Sequence, residues 1–279
     1  MSYKKIVSII GGNGFIGKYL VNKLIKKGYY INIVSRNAYS FKKIHVQPRL
    51  GQVSLKSCDI KDQKNLIKVI EGSHYVFNLT GLLVDNTKNS FNDVHIEGTK
   101  NLILAAKENK VKKVIHISAI GASKNSKSKY ATTKYQAELN IKNYKDYLIV
   151  RPSIVYGDED KFINLFAKMS QFSPIVPLVG KGITKFQPIW VEDLTNIIYK
   201  LVEKNISNVT VEVGGSQIIT FEDIIKFILK EMEIKRLLFK ISFSHSKRIA
   251  YFMENMPKPL LTRDQVELLK KINGLHKNK

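Results

Sequence analysis

The sequence predicts an α/β fold: a doubly wound parallel sheet with a small C-terminal substrate or docking lobe. Three observations carry this. Short apolar runs alternate with longer amphipathic stretches over roughly the first 150 residues. A glycine-rich turn separates the first run from the first amphipathic stretch. The runs are near-continuously apolar, as strands covered on both faces must be.

Taken in order, residues 5–10 read as a buried strand, and 15–27 as a helix that turns Ile16, Leu20 and Leu24 inward and stops at Gly28. A second strand covers 30–35. Further strands are expected at 52–57, 74–79, 113–118 and 147–151, with helices near 62–71, 89–109 and 129–143. Crossovers of that length join parallel neighbours. Beyond Pro152 the alternation loosens into a helix near 160–171, a Pro/Gly-rich stretch over 174–182, a short strand at 186–189, a helix at 191–204 and a strand at 209–213. Helices near 220–232, 245–255 and 262–272 close the chain. The expected organisation is a dinucleotide-binding Rossmann domain over 1–155, completed by about 186–215. Residues 156–185 and 216–279 form the lobe over the carboxyl ends of the strands, where open α/β sheets bind ligands.

Composition bounds the function classes. With 279 residues, 44% hydrophobic and 10% aromatic, the chain is too apolar for disorder. No apolar run approaches the roughly 18 residues that cross a bilayer, and no secretory signal is expected. Cys58, the single cysteine, excludes an intramolecular disulfide and a thiolate cluster, and the six histidines show no metal-ligand spacing. A reducing, cytoplasmic location and no metal site are expected.

Lys and Arg total 46 against 23 acidic residues, a net charge of +23, and only six of the 46 are Arg. The lysines are scattered along the whole length rather than gathered in an Arg- and aromatic-bearing stripe, so no nucleic-acid partner is expected. A solvated lysine-rich surface is the plain reading; an anionic membrane surface or an acidic protein partner is the alternative.

Chemistry concentrates at three places. Gly11, Gly14 and Gly17, with Asn13, Phe15 and Ile16 between them, form a G-x-x-G-x-x-G turn between strand and helix. Such a turn brings backbone N–H groups and a helix N-terminus to a pyrophosphate. At the end of the second strand stands Ser35-Arg36, with no carboxylate until Asp59. A ribose 2′-OH is usually held by Asp or Glu there, whereas guanidinium suits a 2′-phosphate, so NADP(H) is preferred and NAD(H) is the alternative. Ser118 ends the fifth strand and Tyr130-Ala-Thr-Thr-Lys134 opens a helix. Tyr130 and Lys134 share a helix face, so the ammonium is expected to lower the phenol pKa and hold the nicotinamide ribose, with the Ser118 hydroxyl orienting a substrate carbonyl.

Asp158, Glu159 and Asp160 read as an acidic helix start. The apolar, basic segment 241–261 reads either as a surface for anionic lipid or a partner subunit, or as a lid over the lobe.

The glycine turn, Asp59-Ile60, Asn78-Leu-Thr-Gly81, Gly98-Thr99, Ser118, Tyr130/Lys134 and Arg151-Pro-Ser-Ile-Val-Tyr-Gly157 together resemble the extended short-chain dehydrogenase/reductases over nearly the whole chain. That resemblance implies that Asp59 and Ile60 flank an adenine and that Leu79, Thr80 and Gly81 line the middle of the cofactor. It also implies that Pro152 and Ile154 pass beside the nicotinamide. The phrases Gly157-Asp-Glu-Asp-Lys-Phe-Ile-Asn-Leu-Phe166, Ser173-Pro-Ile-Val-Pro-Leu178, Lys185-Phe-Gln-Pro188 and Pro259-Leu-Leu-Thr-Arg-Asp-Gln-Val266 resemble one atypical branch. It is the NADPH-binding accessory subunit family of respiratory complex I and its bacterial relatives, and it implies complex I subunits as partners and a peripheral place on the cytoplasmic face of the inner membrane. One departure stands out: His95 occupies the place of the family's relay Asn, either replacing it or serving as a structural histidine. Two readings follow. The first is an NADP(H)-binding docking protein; the second is an active oxidoreductase, or sugar-nucleotide epimerase or dehydratase, using Ser118, Tyr130 and Lys134.

Overall fold

The computed structural model describes residues 5–41, 44–85, 90–256, 259 and 261–270. The tail 271–279 of the expected lobe, the end of its last helix, residue 89 of the expected 89–109 helix, and Lys258 and Leu260 of the basic apolar segment lie outside the described residues.

The first half runs β1 (Ile6–Ile10), α1 (Phe15–Lys26), β2 (Tyr30–Ser35), β3 (Val53–Ser57), α2 (Gln63–Val69), β4 (Tyr75–Asn78), α3 (Gly98–Glu108), β5 (Lys113–Ile117), α4 (Lys129–Lys142) and β6 (Tyr147–Pro152). The second half adds β7 (Val155–Tyr156), α5 (Ile163–Phe172), β8 (Ile175–Val179), β9 (Lys185–Phe186), β10 (Ile189–Trp190), α6 (Val191–Glu203) and β11 (Val209–Val213). It ends with β12 (Ile219–Thr220), α7 (Phe221–Glu231), β13 (Leu237–Ile241), α8 (Phe243–Met253) and α9 (Arg263–Leu269).

The central sheet has seven strands in the order β11-β6-β5-β4-β1-β2-β3, each pair parallel. The chain leaves β1 in one direction and returns as β4 on its other side, so the strand order reverses there and opens a crevice at the carboxyl ends. Both faces are apolar because helices cover both. Val7, Ile9, Ile33, Phe77, Ile115 and Leu148 pack on one side with α1 and α6, and Ile10, Val34, Val76, Val114 and Ile149 on the other with α2 to α4. This is why these strands read as continuous hydrophobic runs.

Further along the chain, Val176, Leu178, Phe186, Phe221, Ile224, Ile225, Ala250 and Val266 gather into a separate cluster. Here the structure departs from expectation. The stretch 174–182 contains β8, which pairs in parallel with β13, a strand absent from the sequence reading. Pro177 sits opposite Phe239; a two-stranded ribbon tolerates a residue without an N–H because one edge of β8 makes no sheet bond.

The helix expected over 89–109 begins as a π-helical segment, Asn92–Glu97, before continuing as α3. The acidic run precedes α5 by three residues: Asp160 accepts from Ile163 N at 2.6 Å, while Glu159 reaches back to Lys18 on α1 at 2.8 Å. Among the described residues no helix is long and apolar enough to cross a membrane, and no group of three or more His, Cys, Asp or Glu side chains is placed to hold a metal ion.

Candidate functional site

The turn after β1 is the tightest part of the crevice. Gly12 N donates to Ile9 O at 3.1 Å and Gly14 N to Gly11 O at 2.9 Å, folding the chain back on itself. Gly11 has φ +82°, and a Cβ there would stand 3.1 Å from the Leu79 carbonyl carbon. A Cβ on Gly17 would fall 2.6 Å from the carbonyl oxygens of both Gly11 and Gly12, so helix α1 reaches the turn only without a side chain. Helix α1 has no side-chain cap and no acid in its first turn. Its opening N–H groups and its positive dipole end are thus available to an anion. The residues fit a pyrophosphate.

The other expected binding residues lie at or after the ends of β2, β3, β4 and β6 and on α1 and α4. Asn13 donates to Asn37 O at 3.0 Å and Ser40 Oγ at 2.7 Å, tying the glycine turn to the loop after β2. Arg36 is exposed at the carboxyl end of β2, in that same loop. Asp59 holds the turn after β3, accepting from Lys61 N at 3.0 Å, and Ile60 is buried beneath Gly98, whose Cβ would meet it at 2.8 Å.

Leu79 N donates to Ile10 O at 2.9 Å, and both Thr80 N and Thr80 Oγ1 donate to Asn78 Oδ1, at 3.1 and 2.6 Å, which stiffens the loop facing Gly11. Gly81 follows, with His95 Nε2 about 4.0 Å from the place of a Cβ. Phe15 packs under Gly157 and edge-on to Tyr19, and Ile16 faces the core. Pro152 ends β6, its carbonyl accepting from Ile120 N at 3.1 Å, and Ile154 O accepts from Ile189 N at 2.9 Å.

Helix α4 carries Tyr130 and Lys134 to the same crevice. Ser128 caps its start, accepting from Ala131 N at 3.2 Å. Tyr130 is packed edge-on by Phe91 and His95, with ring centroids 5.8 and 5.6 Å away. Lys134 is buried, and its ammonium donates to Ile117 O at 2.8 Å. The electrostatics differ from the sequence expectation. Burial pushes the Tyr130 phenol up to about 12, and the Asp264 carboxylate adds to the shift, so the group is not acidified by Lys134. Burial brings the Lys134 ammonium down to about 8 against the opposing pull of Glu138. At Lys134 desolvation outweighs the attraction of Glu138 because the ammonium is buried away from water.

Ser118 is buried too, and its hydroxyl donates to Glu138 Oε1 at 2.5 Å. Glu138 is fully buried and held by a fork from Arg151, with Nε to Oε1 at 2.8 Å and Nη2 to Oε2 at 2.6 Å; Arg151 Nη1 also reaches Glu212 at 3.4 Å. Sequence reasoning missed this network. A partial signal existed, since Lys134 and Glu138 are four apart on one helix face, but the partners on β6 and β11 are a tertiary fact.

His95 is hydrogen-bonded at both ring nitrogens. Leu82 N donates to Nε2 at 3.1 Å, so Nδ1 carries the proton and donates to Thr133 Oγ1 at 2.9 Å. Burial, with Lys134 nearby, lowers its pKa to about 3, so the ring stays neutral. With both nitrogens engaged, His95 brackets the loop after β4 to helix α4.

The model of the NAD dependent epimerase/dehydratase family matches residues 7–214. Among curated proteins, the chain is 28% identical over 268 residues to the mitochondrial NADH dehydrogenase (ubiquinone) 1 alpha subcomplex subunit 9 of Dictyostelium discoideum, covering 94% of this chain and 74% of that one. It is 28% identical over 279 residues to the Arabidopsis thaliana protein of the same name, covering 97% and 69%. The crystal structure of DesIV, a dTDP-glucose 4,6-dehydratase from Streptomyces venezuelae with NAD and TYD bound, superposes with a TM-score of 0.73 at 19% identity, covering 85% of this chain and 84% of that one. The family model thus covers most of the chain, and the protein belongs to the NAD dependent epimerase/dehydratase family, the extended short-chain dehydrogenase/reductases.

Proposed function

We propose that this chain binds a nicotinamide dinucleotide along the carboxyl ends of β1, β2, β4 and β5, NADP(H) in preference to NAD(H), and holds it as a bound ligand rather than turning it over. The observation that carries this reading is the Ser118 hydroxyl, which is spent on Glu138 instead of facing the crevice. Polarising a carbonyl needs a donor aimed at the substrate oxygen. The phenol pushed up to about 12 points the same way, since a general acid–base works best with a pKa near the working pH. The relatives named above, subunits of NADH dehydrogenase (ubiquinone), support docking on a respiratory inner-membrane assembly. In this reading residues 156–185 and 216–279 form the docking lobe, and a peripheral place on the membrane follows from the partner rather than from a spanning helix.

When bound, the dinucleotide would supply a hydride-carrying ring. The backbone N–H groups of the glycine turn bind its pyrophosphate, Asp59 and Ile60 border the adenine, and Arg36 with Ser35 meets the 2′-phosphate. Leu79, Thr80, Gly81, Pro152 and Ile154 border the middle and the nicotinamide end. Tyr130 and Lys134 lie against the nicotinamide ribose, where their hydroxyl and ammonium can hold its two hydroxyl groups. A hydrogen bond to a charged group contributes about 1.5–3 kcal/mol. Arg36→Leu is therefore expected to weaken NADPH binding by about tenfold or more while leaving NADH within about twofold. Fluorescence titration with both cofactors checks this. A wild-type chain that prefers NADH would remove the role given to Arg36.

The alternative, an active oxidoreductase or sugar-nucleotide epimerase or dehydratase, is favoured by one observation: Lys134 is buried one helical turn from Tyr130, with its ammonium brought down to about 8. Tyr130→Phe separates the two readings. It is expected to leave NADPH affinity within about tenfold, losing at most one neutral hydrogen bond, and to leave cellular function intact. Loss of function with retained binding would establish catalysis instead.

A further inference from the structure

The first turn of α4 is held by a residue far away in sequence. Asp264, in the opening turn of α9, accepts from Ser128 Oγ at 2.9 Å, Lys129 N at 2.6 Å and Tyr130 N at 3.3 Å. Helix α4 has no acidic residue in its own first turn, so the anion that a helix N-terminus favours is supplied by another element. Asp264 is available for this because α9 is closed locally: Thr262 N donates to Gln265 Oε1 at 3.0 Å and Gln265 N to Thr262 Oγ1 at 3.2 Å.

Helix α9 is fastened along its length. Arg263 N and Nε donate to Glu254, just beyond α8, at 2.7 and 2.8 Å. Thr184 Oγ1 donates to Leu269 O at 2.6 Å, and Lys247 on α8 pairs with Glu267. A second clasp reaches the same turn of α4 from the loop after β4, where Asp85 takes Lys129 Nζ at 2.6 Å and Phe91 N at 2.8 Å. The turn that carries Tyr130 therefore has its position set from outside its own helix.

We propose that Asp264 is a positioning residue of the dinucleotide site: it ties the first turn of α4, and with it Tyr130, to the α8–α9 hairpin, so that seating the dinucleotide and ordering that hairpin form one coupled equilibrium. This rests on the reading that the dinucleotide lies against Tyr130. Such coupling is reciprocal. A ligand that orders the Tyr130 turn must also order α9, and freeing α9 must weaken the ligand by the same factor. In this way a docking lobe would sense an occupied site without touching the ligand.

The test uses the full chain and two variants, Asp264→Ala and the double variant Ser128→Asp/Asp264→Ala, which returns an anionic cap to α4 from its own sequence without restoring the link to α9. NADPH affinity is read by fluorescence titration, and amide hydrogen exchange is followed over Phe243–Met253 and Arg263–Leu269. In the wild type, NADPH is expected to slow exchange in both segments. Asp264→Ala is expected to bind NADPH at least about fivefold more weakly, the low end of typical allosteric couplings, and to lose the slowing. The double variant is expected to regain the wild-type melting temperature but not the ligand-induced slowing, which a merely structural cap would restore. If Asp264→Ala does not fold, the double variant carries the same two readouts. An affinity loss smaller than fivefold in the variant measured, or ligand-induced slowing in the double variant equal to wild type, overturns the positioning role alone. A wild-type chain that binds neither NADPH nor NADH overturns the site reading, and the coupling with it.

Discussion

Arg151→Met is expected to lower the unfolding free energy by about 3–5 kcal/mol, the range for removing one partner of a buried ion pair, as measured by urea denaturation. The size follows from what is left behind. Glu138 has 0% exposure, and both its oxygens take the Arg151 fork at 2.8 and 2.6 Å. Without the guanidinium its remaining hydrogen bond among the described residues would come from the Ser118 hydroxyl, with the Lys134 ammonium as a nearby charge. A carboxylate cannot stay charged in that surrounding without loss, and protonating it forfeits the remaining charge-assisted bond.

Two companion variants sharpen the prediction. Glu212→Gln touches the same guanidinium from the solvent side at 3.4 Å and is expected to cost less than about 1 kcal/mol, as partly exposed pairs do. Glu138→Leu/Arg151→Met removes charge from both sides and is expected to recover most of the single variant's loss. A double variant no more stable than Arg151→Met would mean that packing rather than the buried charge dominates.

Gly17→Ala is expected to reduce NADPH affinity by roughly a hundredfold or more. The added Cβ would stand 2.6 Å from two backbone carbonyl oxygens and 2.7 Å from the Gly12 carbonyl carbon. Backbone atoms cannot rotate aside as a flexible side chain can, so the turn must lift away from α1. Losing two N–H contacts to the pyrophosphate, each charge-assisted and contributing about 1.5 kcal/mol, already gives a factor of that order. Overpacking adds about 1–3 kcal/mol of destabilisation, to be read in the same sample by thermal melting. Equal affinities for the Gly17→Ala and wild-type chains would show that no dinucleotide sits on this turn.

What could be read from the sequence follows from where residues lie relative to water. Central strands such as Ile6–Ile10 and Lys113–Ile117 are covered on both faces, so hydrophobic runs alone mark them. Lys113 is an exception within that pattern. It is buried, and its ammonium runs out to Asn205 Oδ1 at 2.9 Å and Ile206 O at 3.1 Å after α6, partners that local sequence does not show. Strand β13 escaped notice because Leu237 and Phe239 are exposed and its partner among the described residues, β8, is 62 residues back and interrupted by Pro177. The π-helical segment Asn92–Glu97 keeps a helix-like apolar spacing, so nothing in the sequence distinguishes it from the helix that follows.

The sequence by itself determined the class of this protein. A glycine turn between an apolar strand and an amphipathic helix has few other uses, and backbone conformation near glycine is a local property. It also placed Tyr130 and Lys134 on one helix face, because helical period is local too. Only the tertiary structure decided what those side chains face. The Ser118 hydroxyl turned to Glu138, the phenol became harder to ionise, His95 became a bracket, and Asp264 came to hold a helix whose start lies 135 residues earlier. Burial and long-range partners set ionisation and hydrogen bonding, and neither is encoded within the few residues of a motif.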